Sequence, residues 1–123
     1  MKKMYLTLPL FALIVACGGG NEKKEATAEV VDLSSNPDYQ KGLELIGKSD
    51  CLTCHKVSDK NIGPAYKDVA AKYENTEETV KMLAGKIIKG GQGVWGAIPM
   101  TPHSSLSEAD AEQMVKYILL LKK

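Results

Sequence analysis

The chain has no arginine, no apolar run long enough for a membrane span near its start, and no clear excess of one charge. The apolar stretch from Leu6 to Ala16 has 11 residues, too few to cross a bilayer. Residues 37–123 carry 12 lysines against 11 acidic residues, so these totals do not indicate a strongly basic face, although lysines could still form a local patch. No nucleophile–base pair or carboxylate dyad stands out, and we therefore expect no enzyme that acts alone.

Cysteines are also few, and two of the three stand in the motif Cys51-Leu52-Thr53-Cys54-His55. C-x-x-C-H is the signature of c-type haem attachment, in which each thiol forms a thioether with a porphyrin vinyl group and the histidine binds the iron. A bare C-x-x-C also fits a thioredoxin-like redox pair or half of a zinc site. Zinc would need two further ligands at matching spacing, and the only cysteine left is Cys17; the sequence shows no βαβ pattern for a thioredoxin. The motif therefore favours one haem c held by Cys51 and Cys54, with His55 as an iron ligand.

The first residues have the order of an export signal, with Lys2 and Lys3 ahead of the apolar stretch. Ile14-Val15-Ala16-Cys17 resembles the bacterial lipobox, which predicts that Cys17 is lipidated and anchors the mature chain. The alternative is an ordinary secretory signal with an unpaired cysteine nearby. Because c-type haem is attached outside the cytoplasm, export and the haem motif support each other. We expect a signal peptide over 1–16 and an anchored protein at the periplasmic or another extracytoplasmic face of a membrane.

The segment after Cys17 is composed of glycine, charged and small polar residues. Such a composition buries too little apolar surface to fold by itself, so residues 17–36 are predicted to be the lipidated cysteine and a flexible linker. Residues 37–123 leave 87 positions for a single small domain. A domain of this size usually needs stabilisation beyond its own apolar core, which a large buried haem would provide.

Apolar residues in 37–123 recur at helical spacing, which predicts an all-α domain with four main helices. Asn36 and Pro37 should start the first helix, which runs to about Lys48. A short helix should cover 65–73. Thr76 should cap the third helix, which Gly90 and Gly91 end, and Ser107 should cap the fourth. The predicted buried faces are Tyr39, Leu43 and Ile46; Val80, Leu83, Ala84 and Ile87; and Ala111, Met114, Val115, Ile118 and Leu119.

A long segment without regular periodicity, 90–105, contains Trp95, and its Met100 lies between Pro99 and Pro102. Such a loop can pack on a haem face and present the Met100 thioether as the sixth iron ligand, which favours reduced iron and a high potential. Met82 and Met114 lie on predicted helices, where methionine more often fills a core. His103 in the same segment would instead give bis-histidine ligation, and an open iron is the remaining alternative.

Two stretches carry a resemblance to a known family. Gly63 to Tyr73 resembles the segment after the haem motif of short bacterial class I cytochromes c, and Gly91 to Met100 is similar to their methionine loop. The resemblance covers residues 37–123. It implies four main helices wrapped around one haem, and a monohaem protein that carries electrons to nitrite reductases or terminal oxidases.

The family pattern also implies roles for single residues. The carbonyl of Pro64 would accept the free imidazole N–H of His55. Trp95 would donate its indole N–H to a haem propionate and pack on the porphyrin, although plain core packing is an alternative. Lys86 stands where relatives often carry an arginine near a propionate, and it offers a point charge instead of a bidentate fork. His103 stands where relatives often have an asparagine near the methionine sulfur; if His103 bonds to that sulfur, the potential would depend on pH.

The resulting expectation is a membrane-tethered, monomeric electron carrier that cycles between Fe(III) and Fe(II). Its partners would be a donor complex and a terminal oxidase or reductase of a respiratory chain, with no role for nucleic acid. A fixed haem subunit of one such complex is an alternative. A gas-binding or peroxidase-like protein would need an open or displaceable sixth ligand. Gas-binding cytochromes of the four-helix-bundle type carry the motif near the C-terminus, whereas 68 residues follow His55 here.

Overall fold

The structure is a computed structural model that describes residues 32–123. The predicted signal segment 1–16, Cys17 and the linker up to residue 31 lie outside the described residues. The elements in chain order are α1 (Pro37–Lys48), a 3₁₀ helix (Asp50–Thr53), α2 (Tyr66–Lys72), α3 (Glu77–Lys89), β1 (Gly91–Gly93), β2 (Gly96–Met100) and α4 (Glu108–Leu120). Within 32–123, each helix is too short or too polar to cross a membrane.

Three of the four helices begin at the capping residues that the sequence predicts. The Asn36 side chain accepts hydrogen bonds from two first-turn amides of α1. The hydroxyl oxygen of Thr76 accepts from the amide of Thr79 at 3.2 Å, and that of Ser107 accepts from the amide of Asp110 at 3.1 Å. Each bond satisfies an amide that has no partner inside its own helix. The predicted helix starts are confirmed.

Helix α3 ends where the sequence predicts, at Gly90, which has a positive φ of 79°. A side chain there would be strained, and its Cβ would lie 2.7 Å from the carbonyl oxygen of Met100. Helix α4 ends at Leu120. Just beyond its end, Lys122 extends to Glu74, with 2.7 Å between ammonium nitrogen and carboxylate oxygen.

Helix α4 is the centre of the core, because α1, α2 and α3 all pack against it. The predicted buried face of α4 is confirmed, and Tyr117 is buried as well. On α1, Ile46 is buried but Leu43 is 44% exposed, so its predicted place in the core is wrong. The reason is that α1 approaches α4 through Gly42, whose hydrogen faces Tyr117 and Gln113. That close approach turns Leu43 away from the core.

The segment 90–105 is less irregular than predicted, because β1 and β2 form an antiparallel hairpin in it. Gly91 pairs with Met100 and Gly93 with Gly96, with an irregularity in register between the two pairs. Glycines at positive φ supply the turn. Most side chains of both strands are exposed, so no alternation of apolar and polar residues revealed them. The fold is thus mainly helical, with a small two-stranded sheet added.

Candidate haem-attachment site

The Cys51–His55 motif lies on a tight turn that connects α1 to the loop before α2. Its first four residues belong to, or directly follow, the 3₁₀ helix, and the amides of Cys54 and His55 both donate to the carbonyl of Cys51, at 3.2 and 3.0 Å. Residues three apart in such a helix lie on the same side. The turn therefore brings the thiols of Cys51 and Cys54 to one side. Both are free and partly buried.

The imidazole of His55 is held by a backbone carbonyl. Its Nδ1 atom lies 2.8 Å from the carbonyl oxygen of Pro64, the contact that the resemblance implies. The ring of Tyr66 stacks on it, with 5.4 Å between ring centroids and 19° between planes. A hydrogen bond at Nδ1 fixes the tautomer and orients the ring, which leaves Nε2 as the atom that can bind a metal.

Gly63 completes this support and was not singled out as a site residue from the sequence. Its amide donates to the Cys54 carbonyl at 2.8 Å, and a Cβ there would lie 2.5 Å from Cε1 and 2.8 Å from Nδ1 of His55. Asn61 also ties the loop to the motif, since its Nδ2 donates to the Thr53 carbonyl at 3.1 Å. A Gly-Pro pair shortly after the motif was the available signal for this close approach.

The chemistry of these side chains fits a haem better than the alternatives. Burial raises the pKa of the Cys51 thiol, whereas the attacking cysteine of a redox pair has a lowered pKa. A zinc site needs at least three ligands close together. Residues 32–123 contain no such group of histidine, cysteine or acidic side chains, which disfavours zinc. Two free thiols on one turn beside an oriented imidazole are the groups that haem c attachment uses.

Met100 is the last residue of β2 and is partly buried. Its carbonyl faces Gly90, and its strand partner is Gly91. Met82 and Met114 were both expected to fill the core. Met114 does so and is only 1% exposed, but Met82 is 39% exposed. The hairpin thus places Met100 at its end, while Met82 and Met114 belong to helices.

Two further predicted residues lie at the hairpin. The aliphatic stem of Lys86 lies against Gly91, with Cγ 3.8 Å from the place of a Cβ there. Trp95 is at the turn and is 40% exposed, so plain core packing does not describe it. The Lys72 ammonium lies 5.5 Å from the Trp95 ring centroid, within the range of a cation–π contact. Nothing in the sequence had singled out Lys72.

Within residues 32–123, His103 does not make the bond to a methionine sulfur that its position in the sequence allowed. Its Nε2 atom lies 3.0 Å from Oδ1 of Asp50, and its backbone amide donates to the Ile87 carbonyl at 3.0 Å. Nδ1 is buried and has no hydrogen-bond partner within the described part of the chain. The backbone bond and the Asp50 carboxylate together determine where this ring lies.

The chain is similar in sequence to known proteins. The family model for cytochrome c matches residues 39–122. The chain is 47% identical over 83 residues to cytochrome c-552 of Nitrosomonas europaea, which covers 68% of this chain and 81% of that protein. It is 46% identical over 79 residues to cytochrome c-552 of Hydrogenobacter thermophilus, covering 64% of this chain and 80% of that one.

Solved structures are similar as well. The crystal structure of wild-type Nitrosomonas europaea cytochrome c552 superposes with a TM-score of 0.61 at 48% identity, covering 65% of this chain and 99% of that chain. The expected class I fold is therefore confirmed, with the small sheet as an addition. Together with the Cys51–His55 motif and its supporting loop, these matches show that the chain belongs to the cytochrome c family, whose members bind haem c covalently.

Proposed function

We propose that the protein is a membrane-tethered one-electron carrier of a bacterial respiratory chain. The observation that carries the proposal is the His55 imidazole, which Pro64 fixes through Nδ1 so that Nε2 can serve as a permanent iron ligand. Haem supplies the Fe(III)/Fe(II) couple when bound. The chain supplies the attachment, the ligands and the surroundings that set the potential. Its similarity to cytochromes c-552 supports this role.

The proposed attachment uses Cys51 and Cys54, and the proposed iron ligands are His55 and Met100. Met100 is favoured because it ends β2 in the hairpin that follows α3, whereas the side chain of Met114 is enclosed in the helical core. His103 is disfavoured as a ligand because its Nε2 atom faces Asp50. A thioether opposite an imidazole favours reduced iron, as suits a carrier of high potential.

Pro64, Trp95 and Lys86 are proposed as the residues around the haem. Pro64 orients His55. Trp95 would donate its indole N–H to a propionate, and the exposed hairpin turn gives it the freedom to do so. Lys86 would bring one positive charge to the same region, because its stem lies along β1. A lysine ammonium attracts a carboxylate as a point charge without the fixed geometry of arginine.

We propose three segments, with a signal peptide over 1–16, a lipidated Cys17 with a linker over 17–36, and the cytochrome domain over 37–123. The support for the first two is the lysine pair, the short apolar stretch and the lipobox-like sequence before Cys17. The acyl chains would hold a monomer at the periplasmic or another extracytoplasmic face of a membrane. Its redox partners would dock in small, transient encounters.

Carbon monoxide binding separates this function from its rivals. A carrier whose iron has both His55 and Met100 as ligands should leave the spectrum of the reduced holoprotein unchanged under carbon monoxide, and it should titrate reversibly with one electron. Met100→Ala opens one position and should bind carbon monoxide. Ready binding by the wild-type protein would contradict the carrier and favour the gas-binding or peroxidase-like alternative.

Fractionation of cells tests the tether. Cys17→Ser should move the haem protein from the membrane fraction to the soluble fraction while its absorption spectrum stays the same, because Cys17 is not one of the haem thiols. A wild-type protein that is already soluble would contradict the anchor. If mild detergent released it only within a large complex, it would be a fixed subunit.

A further inference from the structure

One residue joins three parts of this domain that are distant in sequence. His103 follows Met100 by three positions. Its amide donates to the carbonyl of Ile87, in the last turn of α3, at 3.0 Å, and its ring reaches Asp50 at 3.0 Å. Asp50 is the first residue of the 3₁₀ helix that carries Cys51. The segment after Met100 is therefore tied both to α3 and to the turn that holds the haem thiols.

The side chains of Asp50 and His103 differ strongly in exposure. The Asp50 side chain is 80% exposed, but the His103 side chain is only 20% exposed. His103 Nδ1 is buried, and residues 32–123 offer it no hydrogen-bond partner. A ring in this position has only Nε2 available for a bond, so Asp50 is the acceptor that selects the orientation of the ring.

We propose that Asp50 and His103 form a clamp that positions the Met100-bearing segment over the haem-attachment turn. The proposal rests on the proposed function in taking Met100 as the sixth ligand, and it makes His103 a positioning residue. Only Thr101 and Pro102 lie between Met100 and His103. Because proline fixes its own φ angle, this short connection has few backbone conformations. Holding the His103 ring should therefore disfavour the opening that separates the Met100 sulfur from the iron.

The effect should be modest and measurable. A hydrogen bond in a folded protein contributes about 1 kcal/mol, which corresponds to about a fivefold change in an equilibrium constant. Removing the carboxylate should therefore make it about two- to fivefold easier for an added ligand to displace the methionine. Asp50→Ala would lower the free energy needed to open the segment that carries Met100, and it would leave the rest of the domain as stable as before.

The test uses the ferric holoprotein, with imidazole as the competing ligand. Asp50→Ala removes the acceptor, whereas Asp50→Asn keeps an oxygen that can still accept from His103. Glu74→Ala is the matched control, because it breaks another long-range pair, with Lys122, whose carboxylate is equally exposed at 81%. We expect imidazole to bind about two- to fivefold more tightly to Asp50→Ala, and the Asn variant and the control to stay close to wild type.

Amide exchange gives a second reading that does not depend on the iron ligand. In Asp50→Ala, the His103 amide should exchange about two- to fivefold faster, while the Val80 amide of α3, which donates to the carbonyl of the cap residue Thr76, should be unchanged. Equal effects of Asp50→Ala and Glu74→Ala in both measurements, or no effect of Asp50→Ala, would overturn the clamp. If the wild-type ferric spectrum lacked the band of sulfur-ligated haem, the ligand in the proposed function would be wrong, and the His103 exchange rate would still decide the clamp.

Discussion

The ring of His55 lies so close to Gly63 that any side chain at position 63 would collide with it. A Cβ would be 2.5 Å from Cε1 and 2.8 Å from Nδ1, and the same imidazole is held by Pro64 through Nδ1. The loop after the motif thus packs against one side of the ring and also receives its hydrogen bond. The orientation of the proposed iron ligand depends on both contacts.

Gly63→Ala should therefore disturb the iron site. We expect a loss of about 1–3 kcal/mol in the free energy of unfolding, as for other overpacked sites, together with a shifted reduction potential. Gly85→Ala is the control, because a Cβ there meets nothing within 4 Å and alanine favours a helix by up to about 1 kcal/mol. Denaturant unfolding and a redox titration of both holoproteins measure this. An unchanged potential and stability in Gly63→Ala would contradict the account of the ring.

Helix α1 offers a second pair of glycines that should behave oppositely. A Cβ at Gly42 would collide with Tyr117 and lie 2.6 Å from the carbonyl oxygen of Gln113, whereas one at Gly47 meets nothing within 4 Å. Gly42→Ala should cost about 1–3 kcal/mol of stability or more, and Gly47→Ala should be neutral or gain up to about 1 kcal/mol. Unfolding midpoints in denaturant test the difference. Equal effects would mean that α1 does not approach α4 through Gly42.

Stability should fall in alkaline solution because of buried phenols. Burial raises the pKa of the Tyr66 hydroxyl, and the neighbouring Tyr117 raises it further; the pKa of Tyr117 is also raised, mainly by burial. The unfolded chain releases these protons above about pH 10 while the folded chain keeps them, so stability is full below that pH and declines above it.

Tyr66→Phe removes one of these groups. Each such phenol should contribute a slope of up to about 1.4 kcal/mol per pH unit, so the variant should lose stability less steeply than wild type between pH 10 and 11. Between pH 7 and pH 9, below the range in which tyrosine titrates, the two proteins should show parallel profiles. Chemical denaturation across this pH range measures both slopes. Identical slopes above pH 10 would show that Tyr66 titrates alike in both states.

The helices were predictable because their signals are local. Asn36, Thr76 and Ser107 each cap a helix through a neighbour two or three residues away, and the stripe from Val80 to Ala84 follows from helical spacing alone. The His55–Pro64 contact was available only through the family resemblance, which places a proline after the motif. Short-range patterns and a known motif thus account for most of the helical frame.

The remaining features depend on contacts between distant residues. Asp50 and His103 are 53 positions apart, and no pattern links them. Leu43 was expected in the core, but Gly42 determines which face of α1 meets α4. The hairpin escaped detection because its strands are short, rich in glycine and exposed. Each of these features depends on contacts between segments that are far apart in the sequence, which local patterns do not reveal.

The most direct measurement of the central claim is the absorption spectrum of the oxidised holoprotein. If Met100 binds the iron opposite His55, the weak charge-transfer band of sulfur-ligated ferric haem should be present. It should disappear in Met100→Ala and persist in Met82→Ala, which removes a partly exposed methionine from α3. A wild-type protein without that band, or a Met100→Ala variant that keeps it, would contradict the assignment of Met100.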